Sequence, residues 1–212
     1  MDNPFFSNNG PFKLGDILKH LNLKNDENNQ DQNILDVKDL QNSKSNEITF
    51  FHSKKYKIFA NNTKASFCIT TKNLENELPK SCMPIIVNNV LLSTSLVTSK
   101  FYPDSINDDF DTTVEEINNT KFSDRVKFGK NVLLGKNVTI GSNCIIGHNS
   151  IIEKNVIIGN NCSIGSNTII RNTLIKNNVR ILDNCVIGKH GFGFFPKHNK
   201  NLRYPHMGVV II

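Results

Sequence analysis

From Phe122 onward a hydrophobic residue returns at every sixth position: Phe122, Phe128, Leu134, Ile140, Ile146, Ile152, Ile158, Ile164 and Ile170. One residue is then dropped, and the series resumes at Ile175, Ile181 and Ile187. Glycine often follows this leading residue, as at 129, 135, 141, 147, 159, 165 and 188. Asparagine stands three places after it, at 131, 137, 143, 149, 155, 161, 167, 178 and 184. A small or apolar residue stands four places after it, as at Val132, Cys144, Ser150, Val156, Cys162 and Thr168, with Leu174 in that role beyond the slip. Neither helix nor strand has a period of six. The residue four after a leader and the next leader are two apart, so both face one side of a short strand. Asparagine tolerates left-handed backbone better than other non-glycine residues, and its recurrence predicts a sharp corner in each rung. A strand and a corner, three times over, close a triangular coil, and stacked coils bury a continuous column of leaders. Each buried isoleucine contributes roughly 1.5–3 kcal/mol. The pattern predicts a parallel β-helix of about four coils.

The chain before the repeat has other periods. KLGDILKHLNL places Leu14, Ile17, Leu18 and Leu21 on one face of a short amphipathic helix. ILDV, EITFF, SFCIT and PIIV are rich in β-branched and aromatic residues and read as strands. Residues 88–101 read as a helix begun by Asn88 or Asn89. The expected organisation is a flexible tail over 1–10, a small α/β domain over 11–103, a polar linker over 104–121, and the β-helix over 122–212. Residues 190–207 lose the six-residue pattern and carry glycine, proline and aromatic rings, so a loop extruded from the prism is expected there.

Composition changes this picture little. The 212 residues carry a net charge of +6, which suits an anionic partner such as a nucleotide phosphate or an acidic protein. The lysines are scattered, which argues against nucleic acid. The N-terminus has no basic region followed by an apolar core, and no apolar stretch approaches the ~20 residues of a membrane span. The five cysteines form no CxxC pair and are expected as reduced thiols in a cytoplasm. Cys144 and Cys162 should stack on one face; no histidine or carboxylate joins them at ligand spacing, so buried packing is expected and no metal or cofactor is implied.

Two stretches, EITFFHSKKY at 47–56 and IGKHGFGFFPKHNKNLRYPHMGVVII at 187–212, together with the repeat, resemble the UDP-3-O-acylglucosamine N-acyltransferases of lipid A biosynthesis, within the hexapeptide-repeat acyltransferases. The resemblance runs from about residue 12 to 212. It implies an α+β N-terminal domain that binds uridine, followed by a left-handed parallel β-helix, in a homotrimer. It further implies that Phe50 and Tyr56 hold the uracil ring, and that a Gly-Phe-Gly-aromatic loop, here Gly191, Phe192, Gly193 and Phe194, meets the substrate. Lys55 lies close enough in sequence to serve the phosphates. Three positions depart from the family: Ser53 where asparagine is common, His190 where aspartate precedes the loop, and Val209 where a basic residue is common. The implied reaction moves a 3-hydroxyacyl chain from acyl carrier protein to the 2-amine of UDP-3-O-acylglucosamine.

The resemblance also implies a general-base histidine in an Ile-Ala-His-Asn motif on a coil beyond the Gly-Phe-Gly loop. The sequence reaches Ile212 before such a motif, so an incomplete β-helix without turnover is expected. His148, in Ile-Gly-His-Asn, is similar to that motif and holds the same place in its rung, yet it lies two coils before the loop. A solvated corner is the expected role for it. His198 and His206, in the loop, are further candidates for ligand contact. The alternatives are a UDP-sugar-binding protein without catalysis and another hexapeptide-repeat acyl- or acetyltransferase. The aromatic loop and the EITFFHSKKY stretch argue against the last.

Overall fold

The computed structural model describes residues 3–23, 30–117, 122, 125–197 and 200–212. They form two compact units. One runs from Ser7 to Asn107 and includes 193–205; the other holds residues up to Phe6, Asp108–Phe192 and His206–Ile212.

In the first unit, β1 (Phe12–Lys13) pairs antiparallel with β2 (Asn33–Ile34). The central sheet is parallel, in the order β3 (Asp36–Val37), β4 (Glu47–Phe51), β5 (Phe67–Thr70) and β6 (Met83–Ile86). ILDV is therefore not one strand. Its first half pairs with β1 and its second with β4, because the chain turns between the two partners at Leu35. The helix α1 covers Leu14–His20 and buries Leu14 and Ile17. A 3-10 turn over Lys54–Tyr56 leads into α2 (Lys57–Asn61). The helix α3 (Val90–Phe101) starts where the Asn89 side chain accepts from Leu92 N at 3.0 Å, the expected cap for one of its orphan N–H groups. Phe51 and Cys68 project from the sheet into a core with Leu40, Ala60, Ala65, Leu74 and Cys82. Phe194–Lys197 and Lys200–Arg203 form an antiparallel hairpin.

The second unit is a parallel β-helix of three sheets. One stacks Val126–Phe128, Cys144–Ile146, Ser163–Ile164 and Arg180–Ile181. Another stacks Leu133–Leu134, Ile151–Ile152, Ile169–Ile170 and Val186–Ile187. The third stacks Thr139–Ile140, Ile157–Ile158, Thr173–Ile175 and Val210–Ile211. Leaders align with leaders, as Phe128 with Ile146 and Ile146 with Ile164. The middle leaders, Ile146 to Ile175, are at most 2% exposed. The corner asparagines at 131, 137, 143, 149, 155, 161, 167, 178 and 184 all have φ between 55° and 64°, the left-handed region. The slip keeps this geometry. Asn172, two places after Ile170, takes the corner with φ 47°, so a residue is lost without losing the turn.

That shortened rung corrects one expectation. Thr173, not Leu174, is the small inward residue: Thr173 is fully buried, whereas Leu174 aligns with the outward Ile157. The inward column has a chemical logic. Cys144 Sγ donates to Gly159 O (3.1 Å), Ser150 Oγ to Gly165 O (2.8 Å), Cys162 Sγ to Lys176 O (3.1 Å) and Thr168 Oγ1 to Leu182 O (3.2 Å). Thiol and hydroxyl serve one purpose, satisfying a carbonyl of the next coil. Among the described residues no group of three His, Cys, Asp or Glu is placed to hold a metal ion. No described helix is long and apolar enough to cross a membrane.

Two segments read as loose or linking are fixed. Phe5 and Phe6 are buried, Asn3 Nδ2 donates to Met207 O, and Asn155 Nδ2 donates to Pro4 O. Of the linker, residues 118–121 lie outside the described residues. Glu115–Glu116 pairs antiparallel with Leu133–Leu134, and Asp111 and Thr113 bond to corner amides of the helix. Their polarity, which resembles that of a linker, supplies acceptors instead.

Glycine after a leader has its own cause. A Cβ on Gly147 would lie 2.6 Å from Gly165 C and closer still to Ser166 N. The coils stack too tightly there for a side chain. At Gly188, with φ +74°, a Cβ would collide with Arg171 O, and here the chain leaves the prism.

Asn149 tests the corner. Replacing it by alanine forces a Cβ residue into left-handed backbone and is expected to cost ~1–2 kcal/mol. Asn149→Gly removes the same side-chain bonds without that strain and should cost less, as read from urea unfolding midpoints.

Candidate functional site

In an open parallel sheet, ligands bind beyond the carboxyl ends of the strands. A pocket of about 280 Å³ occupies that place beyond β3 and β4, lined by Asp39, Leu40, Gln41, Phe50, His52, Tyr56 and Phe59. Phe50 lies at the end of β4, on the face opposite the buried Phe51. His52 follows immediately, its ring 6.4 Å from Phe50 with planes 23° apart and 5.3 Å from Tyr56. Tyr56 ends the 3-10 turn and Phe59 lies one turn on, in α2. The walls are thus mostly rings, suited to a flat ligand.

The polar side comes from the loop after β3. The Asp39 carboxylate accepts from Gln41 N (2.9 Å), Asn42 N (3.0 Å) and Asn42 Nδ2 (2.8 Å). Burial alone would push its carboxyl up. The donors of Asn42 and Gln41 outweigh that and hold it below the ordinary carboxylate value. These bonds fix the turn that buries Leu40 and brings Gln41 to the pocket.

Of the four nucleotide-site candidates, Phe50 and Tyr56 line the pocket and Ser53 and Lys55 do not. Ser53 Oγ accepts from Lys55 N at 3.4 Å, capping the 3-10 turn. Lys55 Nζ lies 5.6 Å from the centre of the Tyr56 ring, within reach of a cation–π contact. Asp39, Gln41, His52 and Phe59 were not foreseen. His52 and Phe59 could have been, since His52 lies within the quoted aromatic stretch and Phe59 three residues beyond it. Asp39 and Gln41 could not, because only the β3–β4 pairing brings their loop here.

The loop candidates divide between the units. His190, Gly191 and Phe192 belong to the β-helix unit, and Gly193 and Phe194 to the other. The His190 ring lies 5.7 Å from Phe6 and 5.9 Å from His206. A Cβ on Gly191 or Gly208 would come within 2.9 Å of the His206 ring, so both glycines make room for it. Phe192 is 90% exposed. His198 lies outside the described residues.

His148 has a definite structural role. Its Nδ1 accepts from Lys130 N at 2.8 Å. The same bond recurs up the corners: Ser142 N donates to Asn160 Oδ1 (2.8 Å), His148 N to Ser166 Oγ (3.1 Å), Asn160 N to Asn177 Oδ1 (2.7 Å) and Ser166 N to Asp183 Oδ1 (2.6 Å). An imidazole that accepts at Nδ1 carries its proton on Nε2. In the neutral ring the remaining nitrogen of His148 is then the donor. At the third corner, Lys154 stands where an acceptor is needed above Lys136, and lysine has none. Thr113 Oγ1 accepts from Lys136 N (2.9 Å) and Asp111 Oδ2 from Lys154 N (2.6 Å) in its place.

The fold and repeat define the class. Residues 119–154 and 137–172 match the repeats described as bacterial transferase hexapeptide. Residues 31–99, which contain the whole pocket, match the family described as UDP-3-O-(3-hydroxymyristoyl) glucosamine N-acyltransferase, LpxD. In that domain, which is joined to hexapeptide repeats, the chain is similar to this N-acyltransferase family. It is similar to the UDP-3-O-acylglucosamine N-acyltransferases of Rickettsia prowazekii, at 33% identity, and Rickettsia massiliae, at 34%, each over 100 residues. Each match covers 46% of this chain and 29% of the relative.

His148→Ala should lower stability by about 1 kcal/mol, the worth of a typical hydrogen bond, while His148→Asn, which restores an acceptor of the kind Asn160 supplies, should recover most of it. Because the folded state depresses the Asp39 pKa, its contribution is present above the ordinary carboxylate range and is lost as pH falls below about 4. Asp39→Asn should flatten that part of the acid stability profile.

Proposed function

We propose that this chain acts in the N-acylation of UDP-3-O-acylglucosamine in lipid A biosynthesis, with acyl carrier protein as the 3-hydroxyacyl donor. The observation that carries the reading is the ring-walled pocket, which falls inside the family-matched domain and contains both Phe50 and Tyr56. In this reading the two rings hold the uracil, and Lys55, beside Tyr56, faces the phosphates. The sequence pI of about 9.0 suits an acidic carrier protein. The β-helix is left-handed, three copies assemble in the cytoplasm, and the acyl chain lies along a groove between adjacent copies. His190, Gly191, Phe192, Gly193 and Phe194 meet the acyl-sugar.

The reaction itself is direct acyl transfer. The sugar amine attacks the thioester carbonyl, a C–N bond forms, the C–S bond breaks, and the amine proton leaves to a base. The bond that His148 Nδ1 accepts from Lys130 N speaks against His148 as that base. That engagement favours a second reading, UDP-sugar binding by this chain without turnover. An assay with carrier-bound acyl donor separates the two.

Calorimetry with UDP-N-acetylglucosamine tests the site. Tyr56→Ala removes a stacking wall worth roughly 1–3 kcal/mol and should raise Kd about tenfold or more. Ser53→Ala should change it little. Unchanged binding in Tyr56→Ala would defeat the assignment of the uridine site.

A further inference from the structure

We propose that Gln41 reads the edge of the base held in this pocket, and that Asp39 is the positioning residue that sets it there. The inference rests on the nucleotide reading of the pocket and adds the residue that selects the base. Stacking walls are indifferent to base identity, because every base has a π-face. Selection needs a group offering a donor and an acceptor side by side at the ring's edge.

Three polar side chains compete with Gln41 for that role. The Asp39 carboxylate is already engaged by three donors from Gln41 and Asn42. The His52 ring is itself a wall, between Phe50 and Tyr56. Tyr56 faces the ligand with its ring. The Gln41 carboxamide is exposed, lines the pocket and makes no hydrogen bond to another described group. A carboxamide carries an N–H donor and a C=O acceptor on adjacent atoms. It matches the N3–H and neighbouring carbonyl of uracil in a two-bond pairing. Its backbone amide is the one Asp39 holds, so the turn that fixes the carboxylate also fixes the reader.

The test measures Kd for UMP and for 3-methyl-UMP, in which the N3–H is gone, with the unaltered chain and with Gln41→Ala, Asp39→Ala, Asp39→Asn and Tyr56→Ala. Gln41 is exposed, so its removal leaves the fold intact, which circular dichroism checks. The unaltered chain should bind UMP about tenfold or more tighter than 3-methyl-UMP. Gln41→Ala should weaken UMP about 2- to 10-fold and bring the two ligands to near-equal affinity. Asp39→Ala should do the same, and Asp39→Asn, which keeps one acceptor oxygen, should restore the preference. A purely structural role for Asp39 would lower both affinities and leave their ratio unchanged. If UMP binds, Tyr56→Ala weakens it, and the ratio is the same with and without Gln41, this inference falls and the nucleotide site stands. If UMP does not bind the unaltered chain, both fall together.

Discussion

The amide at each corner of the β-helix must find an acceptor in the coil above, and much of the molecule follows from that requirement. The corner is sharp because asparagine holds left-handed backbone, and the turn leaves the N–H of the residue before it pointing along the stack. Buried or half-buried amides are costly to leave unpaired. At two corners the next coil answers with its own side chain, so the position two after the leader holds His148, Asn160, Ser166, Asn177 or Asp183. At the third corner the coil offers lysine, and the preceding segment answers with Thr113 and Asp111. The polar stretch before the repeat is thereby part of the helix.

The same requirement decides what His148 is. Its surroundings in sequence resemble a catalytic motif because both obey the rules of one rung: leader, glycine, corner acceptor, asparagine. Sharing a place in the rung does not confer a share in the chemistry. The interior column makes the parallel point for Cys144 and Cys162, whose thiols donate to carbonyls just as Ser150 and Thr168 do.

In the other unit the limiting physical fact is the parallel sheet. Strands that run the same way bring their carboxyl ends together, and the loops leaving β3 and β4 meet there. One loop is stiffened by the Asp39 carboxylate and the other by the Ser53 cap. Ser53, where the resembled family commonly has asparagine, turns its hydroxyl to the backbone. His190 sits against two other rings, Phe6 and His206, where an aspartate would have no such packing.

The sequence by itself determined the β-helix, its three-fold rung, its corners and its one slip, because each is set by neighbours within six residues and repeated many times. The family resemblance pointed to Phe50 and Tyr56, which lie on one short stretch and line one pocket. The sequence misassigned Leu174, since a dropped residue can be absorbed before or after the corner, and only the pairing with Ile157 shows which. It read the residues around Phe5 and Phe6 as a tail and those around Asp111 as a linker, since their burial and bonds depend on partners far along the chain. Tertiary structure alone placed Asp39 and Gln41 beside Phe50, through the register of β3 on β4. Local periodicity carries no information about which strand pairs with which, and that choice is what assembled the pocket.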